Sequence, residues 1–83
     1  MSVKKEPSCH ELDTRGTSCP EPVMMLHAVV RDAQIGDRIH VQATDPATTK
    51  DIPRFCHFLG HELVAETRQG DEFHYEIIKR GSS

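Results

Sequence analysis

Apolar and polar residues alternate in two short segments of the chain, and this alternation constrains the fold more than any other feature. The segments are residues 38–44 and 72–79, and their alternating apolar positions are Ile39, Val41, Ala43, Phe73, Tyr75 and Ile77. A period of two is typical of a β-strand with one buried side and one side in water. The sequence therefore predicts a sheet with one exposed face.

Two other segments repeat apolar residues with the period of an α-helix. The first runs from residue 20 to about residue 33, and its apolar side consists of Val23, Leu26, Val29, Val30 and Ala33. The second is predicted to begin with Asp45 as its cap and Pro46 at the first helical position, where no N–H is needed. It should end near Leu59, because Gly60 suits the position just past a helix end.

Residues 10–14 and 61–67 are further strand candidates, and residues 68–71 suit a hairpin turn. The predicted element order is βαβαββ. Since one sheet face is polar, we expect both helices to cover the other face. The predicted fold class is α/β, a two-layer α/β sandwich with a mixed four-stranded sheet and both helices on one face. The pattern does not fix the strand order.

Length and charge are those of a small globular protein. The 83 residues predict a single domain at residues 10–80, with flexible tails at 1–9 and 81–83. A net charge of −3 without a basic block argues against direct nucleic-acid binding. No segment has the roughly 18 apolar residues of a membrane span. No apolar run follows the first lysines, so we expect no secretory signal and a cytoplasmic location without membrane contact.

The sequence contains three cysteines and no Cys-x-x-Cys pair. An odd count in a chain expected in the cytoplasm argues against a disulfide framework. Cys56 shares a helix side with Ile52 and Phe55, so it is expected in the core. Cys9 is expected in the N-terminal tail. Cys19 remains as the candidate for a reactive thiol.

Two prolines follow Cys19 in the segment CPEP. Pro20 suits the first helical position, which predicts Cys19 as the helix N-cap. There, free N–H groups and the positive helix end would lower the thiol pKa, with Arg15 assisting and Glu21 opposing. Two interpretations stay open: Cys19 only caps the helix, or it is a reactive thiol. A thiol that accepts and passes on a group needs neither base nor pocket, which favours a carrier over a hydrolase.

Other candidate residues have simpler interpretations. Met24 points off the apolar side of its helix and is a candidate docking spot beside Cys19. His57 and His61 have the spacing of a metal pair but no third ligand nearby, so no metal site is expected. Asp51 is interpreted as a helix-surface charge. No cofactor-binding residues are predicted.

Three motifs in order resemble one protein family. They are LDTRGTSCPEPVMM at residues 12–25, DPATTKDIPRFC at 45–56 and GHELV at 60–64. Through them the chain is similar to the TusA (SirA-like) family of sulfur-carrier proteins, in register from Leu12 to Lys79. The resemblance implies the family fold, a βαβαββ two-layer sandwich, in agreement with the pattern above.

The resemblance also implies a role for Cys19, which matches the first residue of the family's Cys-Pro-x-Pro motif. It implies that Cys19 accepts sulfane sulfur as a persulfide from a cysteine desulfurase and passes it to a relay protein. The motifs are most similar to the branch that supplies 2-thiouridine at tRNA wobble positions, while other members serve other sulfur pathways. Such a protein is a sulfur carrier, or sulfurtransferase, rather than a turnover enzyme with a substrate pocket. We expect a monomer.

The chain departs from the family at two positions before the cysteine. Thr17 stands where an apolar residue is frequent, and Ser18 where a basic residue is common. The missing cation removes one electrostatic aid to a thiolate. The alternative function is a non-catalytic adaptor, in which Cys19 only caps a helix and the open sheet face binds a partner.

Overall fold

The elements of the protein follow the predicted order, in a computed structural model that describes residues 8–81. They are β1 (Cys9–Asp13), α1 (Glu21–Asp32), β2 (Arg38–Ala43), α2 (Thr48–Leu59), β3 (Glu62–Gln69) and β4 (Glu72–Ile78). The outer parts of the predicted tails, residues 1–7 and 82–83, lie outside the described residues. No helix in the described part of the chain has the length and apolar character needed to cross a bilayer.

Within residues 8–81 the strands form a mixed four-stranded sheet in the order β1-β2-β4-β3. β1 and β2 run parallel, while β4 is antiparallel to both β2 and β3. The segments that follow β1 and β2 therefore leave from the same end of the sheet, here called the carboxyl end. At the opposite, amino end, Cys9 begins β1 opposite Arg38, and Arg38 lies opposite Ile78 near the end of β4.

The core lies between one face of the sheet and both helices. All six apolar positions of the two alternating segments are buried, as predicted. The helices and the C-cap of α1 contribute Leu26, Val30, Ala33, Ile52, Phe55 and Cys56 to the same buried cluster. Because residues of both helices join one cluster on one face, the protein is the predicted two-layer α/β sandwich.

The opposite face of the sheet is not covered by a helix, and polar side chains on it contact one another in a row. His40 Nδ1 lies 2.8 Å from Glu11 Oε1, and His40 Nε2 lies 3.1 Å from His74 Nδ1. His74 Nε2 in turn lies 3.2 Å from Glu72 Oε1. This row of contacts joins β1, β2 and β4, so the polar residues of the alternating pattern form a connected surface.

Cys9 belongs to β1 rather than to a loose tail, which corrects the sequence prediction. The backbone before it is tied to distant residues. The Ser8 N–H donates to Asp37 Oδ1 at 3.0 Å, and the Ser8 carbonyl accepts the Arg38 N–H at 2.9 Å. Leu12 is the clear apolar residue of this segment, so local pattern alone places the strand start too late.

Candidate functional site

Two loops meet at the carboxyl end of the sheet and bring Cys19 close to two aspartates. Cys19 lies in the loop between β1 and α1, Asp45 lies after β2, and Asp51 lies in the first turn of α2. Parallel neighbouring strands place the helices that follow them with their starts at the same end. Residues separated by 26 and 32 positions in sequence thereby come into contact with Cys19.

The loop before Cys19 is tied to β2 and to the residues that follow it. Thr14 is buried, and both its N–H and its hydroxyl donate to the Gln42 carbonyl, at 2.8 and 2.7 Å. The Gly16 N–H donates to Thr44 Oγ1 at 2.9 Å, with the glycine at a φ of 85° that other residues rarely adopt. The Thr17 hydroxyl donates to the Thr14 carbonyl at 2.7 Å. The threonine at this position therefore has a local hydrogen-bond partner that an apolar residue would not use.

Cys19 is exposed and is held by two carboxylates. Its backbone N–H donates to Asp45 Oδ2 at 2.6 Å, and its thiol donates to Asp51 Oδ2 at 3.2 Å. The other Asp45 oxygen accepts the Ala47 N–H at 3.0 Å. One carboxylate therefore joins the two loops, while the other faces the sulfur.

Cys19 is not the N-cap of α1, contrary to the sequence prediction. The N-cap is Pro20, which follows a cis peptide bond and makes no side-chain cap hydrogen bond, and the helix begins at Glu21. The Ser18 carbonyl accepts the Glu21 N–H at 2.9 Å, so a tight turn comes directly before the helix. With Asp51 as its partner, the sulfur of Cys19 does not bind the free N–H groups of α1.

Asp45 is likewise not the N-cap of α2. The N-cap is Ala47 and the helix begins at Thr48. The Asp45 carbonyl accepts both the N–H and the hydroxyl of Thr48, at 3.0 and 2.7 Å, which closes a turn ahead of the helix. The helix ends at Leu59 as predicted, with Gly60 in the left-handed region at a φ of 76°.

The pKa of the Cys19 thiol is raised, whereas the sequence predicts a lowered value. The hydrogen bond to Asp51 is the largest cause, followed by partial loss of solvent and by the charges of Asp51 and Asp45. A thiolate here would face carboxylates instead of free helix N–H groups. Arg15, expected to assist the thiolate, is paired with Asp13 at 2.8 Å.

An apolar groove of about 390 Å³ opens beside Cys19, between α1 and α2. Cys19 and Asp51 share its lining with Val23, Phe55, Phe58 and Leu59. Phe58 is 76% exposed at the edge of this groove. The groove therefore presents apolar surface next to the thiol.

Sequence reasoning found the exposed methionine but missed two residues of this site. Met24 is 62% exposed, as expected. Phe58 was not singled out, although it lies off the buried side of α2 that contains Phe55 and Cys56. Asp51 was assigned to a solvated surface, and only the parallel pairing of β1 with β2 brings it to Cys19.

The other two cysteines lie in different surroundings. Cys56 is buried in the core as predicted, and burial raises its pKa to about 11. Cys9 is exposed at the amino end of the sheet, opposite the end that carries Cys19. Within the described residues, Cys19 is thus the exposed thiol at the carboxyl end.

His57 and His61, which have the sequence spacing of a metal pair, make other contacts in the structure. His61 is buried, and its Nδ1 accepts the backbone N–H groups of Arg80 and Gly81, each at 3.2 Å. His57 is exposed and packs edge-on against Phe58. Between residues 8 and 81, no group of three or more His, Cys, Asp or Glu side chains is placed to hold a metal ion.

Fold and site together define a class of protein: a small two-layer α/β domain that presents one thiol at the carboxyl end of its sheet. Comparison with protein families gives the class a name. The family model described as Sulfurtransferase TusA matches residues 10–79. The chain belongs to the TusA family, which confirms the resemblance in its motifs.

Curated relatives of high identity carry one name, Sulfur carrier protein TusA. The relative from Pseudomonas syringae pv. syringae (strain B728a) is 59% identical over 70 residues, covering 84% of this chain and 83% of its own. The relative from Pseudomonas aeruginosa (strain UCBPP-PA14) is 54% identical over 69 residues, covering 83% and 87%. A third, from Pseudomonas putida, is 52% identical over 69 residues, covering 83% and 86%.

Proposed function

We propose that the protein is a cytoplasmic, monomeric sulfur carrier that binds sulfane sulfur as a persulfide on Cys19. A cysteine desulfurase donates the sulfur, and a relay protein receives it for 2-thiolation of wobble uridine in tRNA. The observation that carries the proposal is the exposed Cys19 thiol at the meeting point of two anchored loops, in a chain of the TusA family. The name that the curated relatives share, Sulfur carrier protein TusA, supports the carrier role.

The chemistry of the proposal is thiol–persulfide exchange. The Cys19 thiolate attacks the terminal sulfur of the donor's persulfide, and a bond forms between the two sulfurs. The bond between that terminal sulfur and the donor cysteine breaks, and the donor cysteine leaves as a thiolate. Transfer to the acceptor repeats the exchange in the other direction. Exposure of Cys19 suits both steps, because each requires the sulfur to meet a group on another protein.

The open, apolar shape of the groove supports a carrier rather than an enzyme with a substrate pocket. Small-molecule sites bury most of the ligand and contain a few converging polar groups. The groove here is shallow, and Phe58 stands largely in solvent. Such a surface fits another protein better than a small substrate.

The alternative function is a non-catalytic adaptor whose open sheet face binds a partner. The observation that favours it is the raised pKa of Cys19, because a protonated thiol is a poor nucleophile. The connected polar surface of Glu11, His40 and His74 would then be the binding face. In this case Cys19 serves no chemistry.

Replacement of Cys19 by serine separates the two functions. We expect wild-type protein, incubated with a cysteine desulfurase and cysteine, to gain one sulfur atom on the peptide that contains Cys19. Cys19→Ser should gain none and keep the wild-type melting temperature, because the side chain is exposed. Intact-protein and peptide mass spectrometry measure both results.

Cys9→Ser is the matched control, since it removes an exposed thiol at the other end of the sheet. It should load sulfur like the wild type. Sulfur found on Cys9 or Cys56 instead would show that one of these cysteines, and not Cys19, is the residue that binds it. Absence of sulfur from wild type, with a desulfurase of the same organism, would support the adaptor.

A further inference from the structure

Cys19 donates its thiol hydrogen to a carboxylate, although a sulfur nucleophile acts as a thiolate. The distance from Cys19 Sγ to Asp51 Oδ2 is 3.2 Å, and Asp45 accepts the Cys19 N–H at 2.6 Å. The N–H groups of Ala47 and Cys19 lower the pKa of Asp45, which keeps that carboxylate ionised at neutral pH. The sulfur therefore lies in a negatively charged environment.

Within residues 8–81, no basic side chain pairs with these two aspartates. Among the described residues, no Lys, Arg or His nitrogen lies within 4.0 Å of an Asp45 or Asp51 carboxylate oxygen. Arg54 lines the same groove as Asp51 but forms no ion pair with it there. Asp51 is only half-buried at the groove, so a side chain of another protein can reach it.

We propose that Asp51 is a positioning residue that holds Cys19 as a thiol in the free protein, and that a docked partner releases the thiolate by pairing an arginine or lysine side chain with Asp51. The second half rests on the proposed function, since the partner is the protein that donates or receives the sulfur.

The contact explains how docking controls reactivity. In the free protein the proton stays on Sγ and is shared with Asp51. A cation bound to Asp51 offsets the negative charge, the thiol releases its proton to solvent, and the thiolate becomes the favoured form. The thiolate then exchanges sulfur as described above. No oxidant is needed, because the sulfane sulfur only moves from one cysteine to another.

A general-base role for Asp51 predicts the opposite result. A base that removes the thiol proton would make Cys19 more reactive, so its loss would slow every reaction of the thiol. A carboxylate that stabilises the thiol makes the free protein less reactive, so its loss accelerates them. The direction of the change therefore decides between the two roles.

The first test is the pH profile of Cys19 alkylation by iodoacetamide in the free protein. All variants carry Cys9→Ser, and Cys56 is buried, so Cys19 is the thiol that reacts. Removing the adjacent charge in Asp51→Asn should lower the thiol pKa. The thiolate fraction then rises at neutral pH by more than its nucleophilicity falls, so alkylation accelerates, by about threefold for a tenfold rise in thiolate.

Asp32→Asn is the matched control. It removes the same charge at the last residue of α1, about 18 Å along the helix from its start. Its profile should equal the wild-type profile. An unchanged or raised thiol pKa in Asp51→Asn overturns the proposal. If Asp51→Asn does not fold, as judged by circular dichroism, Asp51→Ser is measured in its place, with the same two outcomes.

The second test compares two sulfur donors. With glutathione persulfide, which brings no docking surface, Asp51→Asn should load Cys19 about threefold faster than wild type. With a saturating cysteine desulfurase, so that loss of the docking contact does not limit the rate, Asp51→Asn should lose this advantage, because the docked cation already offsets Asp51 in the wild type. A threefold advantage of Asp51→Asn with both donors overturns the partner's part in the proposal.

The two tests also separate this inference from the proposed function. If the desulfurase does not load Cys19 at all, the sulfur-carrier function fails. The alkylation profile then still decides whether Asp51 holds the thiol, since that measurement uses the free protein and a small reagent.

Discussion

Aspartate side chains set the conformation of several loops in this protein, and the effect of each depends on the donor that it meets. Asp37 and Asp45 accept backbone N–H groups, which lower the pKa of both carboxyls and hold adjoining turns in place. Asp51 meets a thiol instead, and there the effect falls on the donor, because the pKa of Cys19 is raised. The same residue type thus stabilises turns at two positions and raises the pKa of a thiol at a third.

Asp37 makes the stability of the protein depend on pH in the acidic range. It is buried and accepts the N–H groups of Gln34 and Ser8, each at 3.0 Å, and a contact from His10 Nε2 at 2.9 Å. These contacts, led by the Gln34 N–H, lower its pKa from 3.8 to about 2. A carboxyl with a lowered folded-state pKa contributes stability above about pH 4 that is lost as the pH falls towards about 2.

Asp37→Asn should therefore lower the urea midpoint of unfolding at neutral pH, and the difference from wild type should shrink as the pH falls below about 4. Urea titrations at neutral pH and near pH 3 measure this. A difference of equal size at both pH values would show that the Asp37 charge has no part in the effect.

Helix ends in this protein depend on contacts from distant elements. At the carboxyl end of α1, the buried Lys79 ammonium donates to the carbonyls of Val30 and Ala33, each at 2.7 Å. The Val30 carbonyl also accepts the N–H of the C-cap residue Ala33 at 3.2 Å, and a cation at this end of the helix suits the helix dipole. Lys79 follows β4, so the contact also joins the last strand to the first helix.

Lys79→Met should lower the free energy of unfolding by about 2 kcal/mol, because the methionine fills similar volume but removes a charged donor from two buried carbonyls. Lys50→Met is the matched control, since Lys50 is exposed on α2. It should change stability by less than about 0.5 kcal/mol. Equal effects of the two variants in urea titrations would contradict a specific role for Lys79.

The elements themselves could be predicted from sequence, but their caps could not. Burial alone determines the alternation at Ile39, Val41 and Ala43 and the apolar side of α1. A periodic pattern in the sequence indicates such burial directly. The position of Cys19 depends instead on Asp45 and on Asp51, 26 and 32 residues away. Local reasoning gave the thiol a helix cap and a lowered pKa, and both were wrong because the decisive groups come from another loop.

At the scale of the whole molecule, two surfaces with different character lie on opposite sides of the fold. The open sheet face is polar and cross-linked through His40 and His74. The groove between the helices is apolar and contains Cys19 and Phe58. We expect a partner that docks at Cys19 to bury the exposed Phe58 ring.

Phe58→Ala should slow sulfur transfer from a cysteine desulfurase to Cys19 by about tenfold or more at subsaturating protein, because aromatic side chains are enriched at protein interfaces and a few large residues carry most of the binding energy. Its melting temperature should stay at the wild-type value, since the ring is 76% exposed. Ile35→Ala, at a residue 65% exposed after α1, is the control and should transfer sulfur normally. Equal rates for both variants would place the docking surface elsewhere.

The folded chain enters and leaves at the amino end of the sheet, where Cys9, Arg38 and Ile78 lie side by side. Cys19 lies at the other end, so a polypeptide joined before β1 or after β4 would extend away from the thiol. A protein fused at either place would therefore leave Cys19 uncovered. A short tether would then replace diffusion, and it would supply the thiol at an effective concentration of about millimolar.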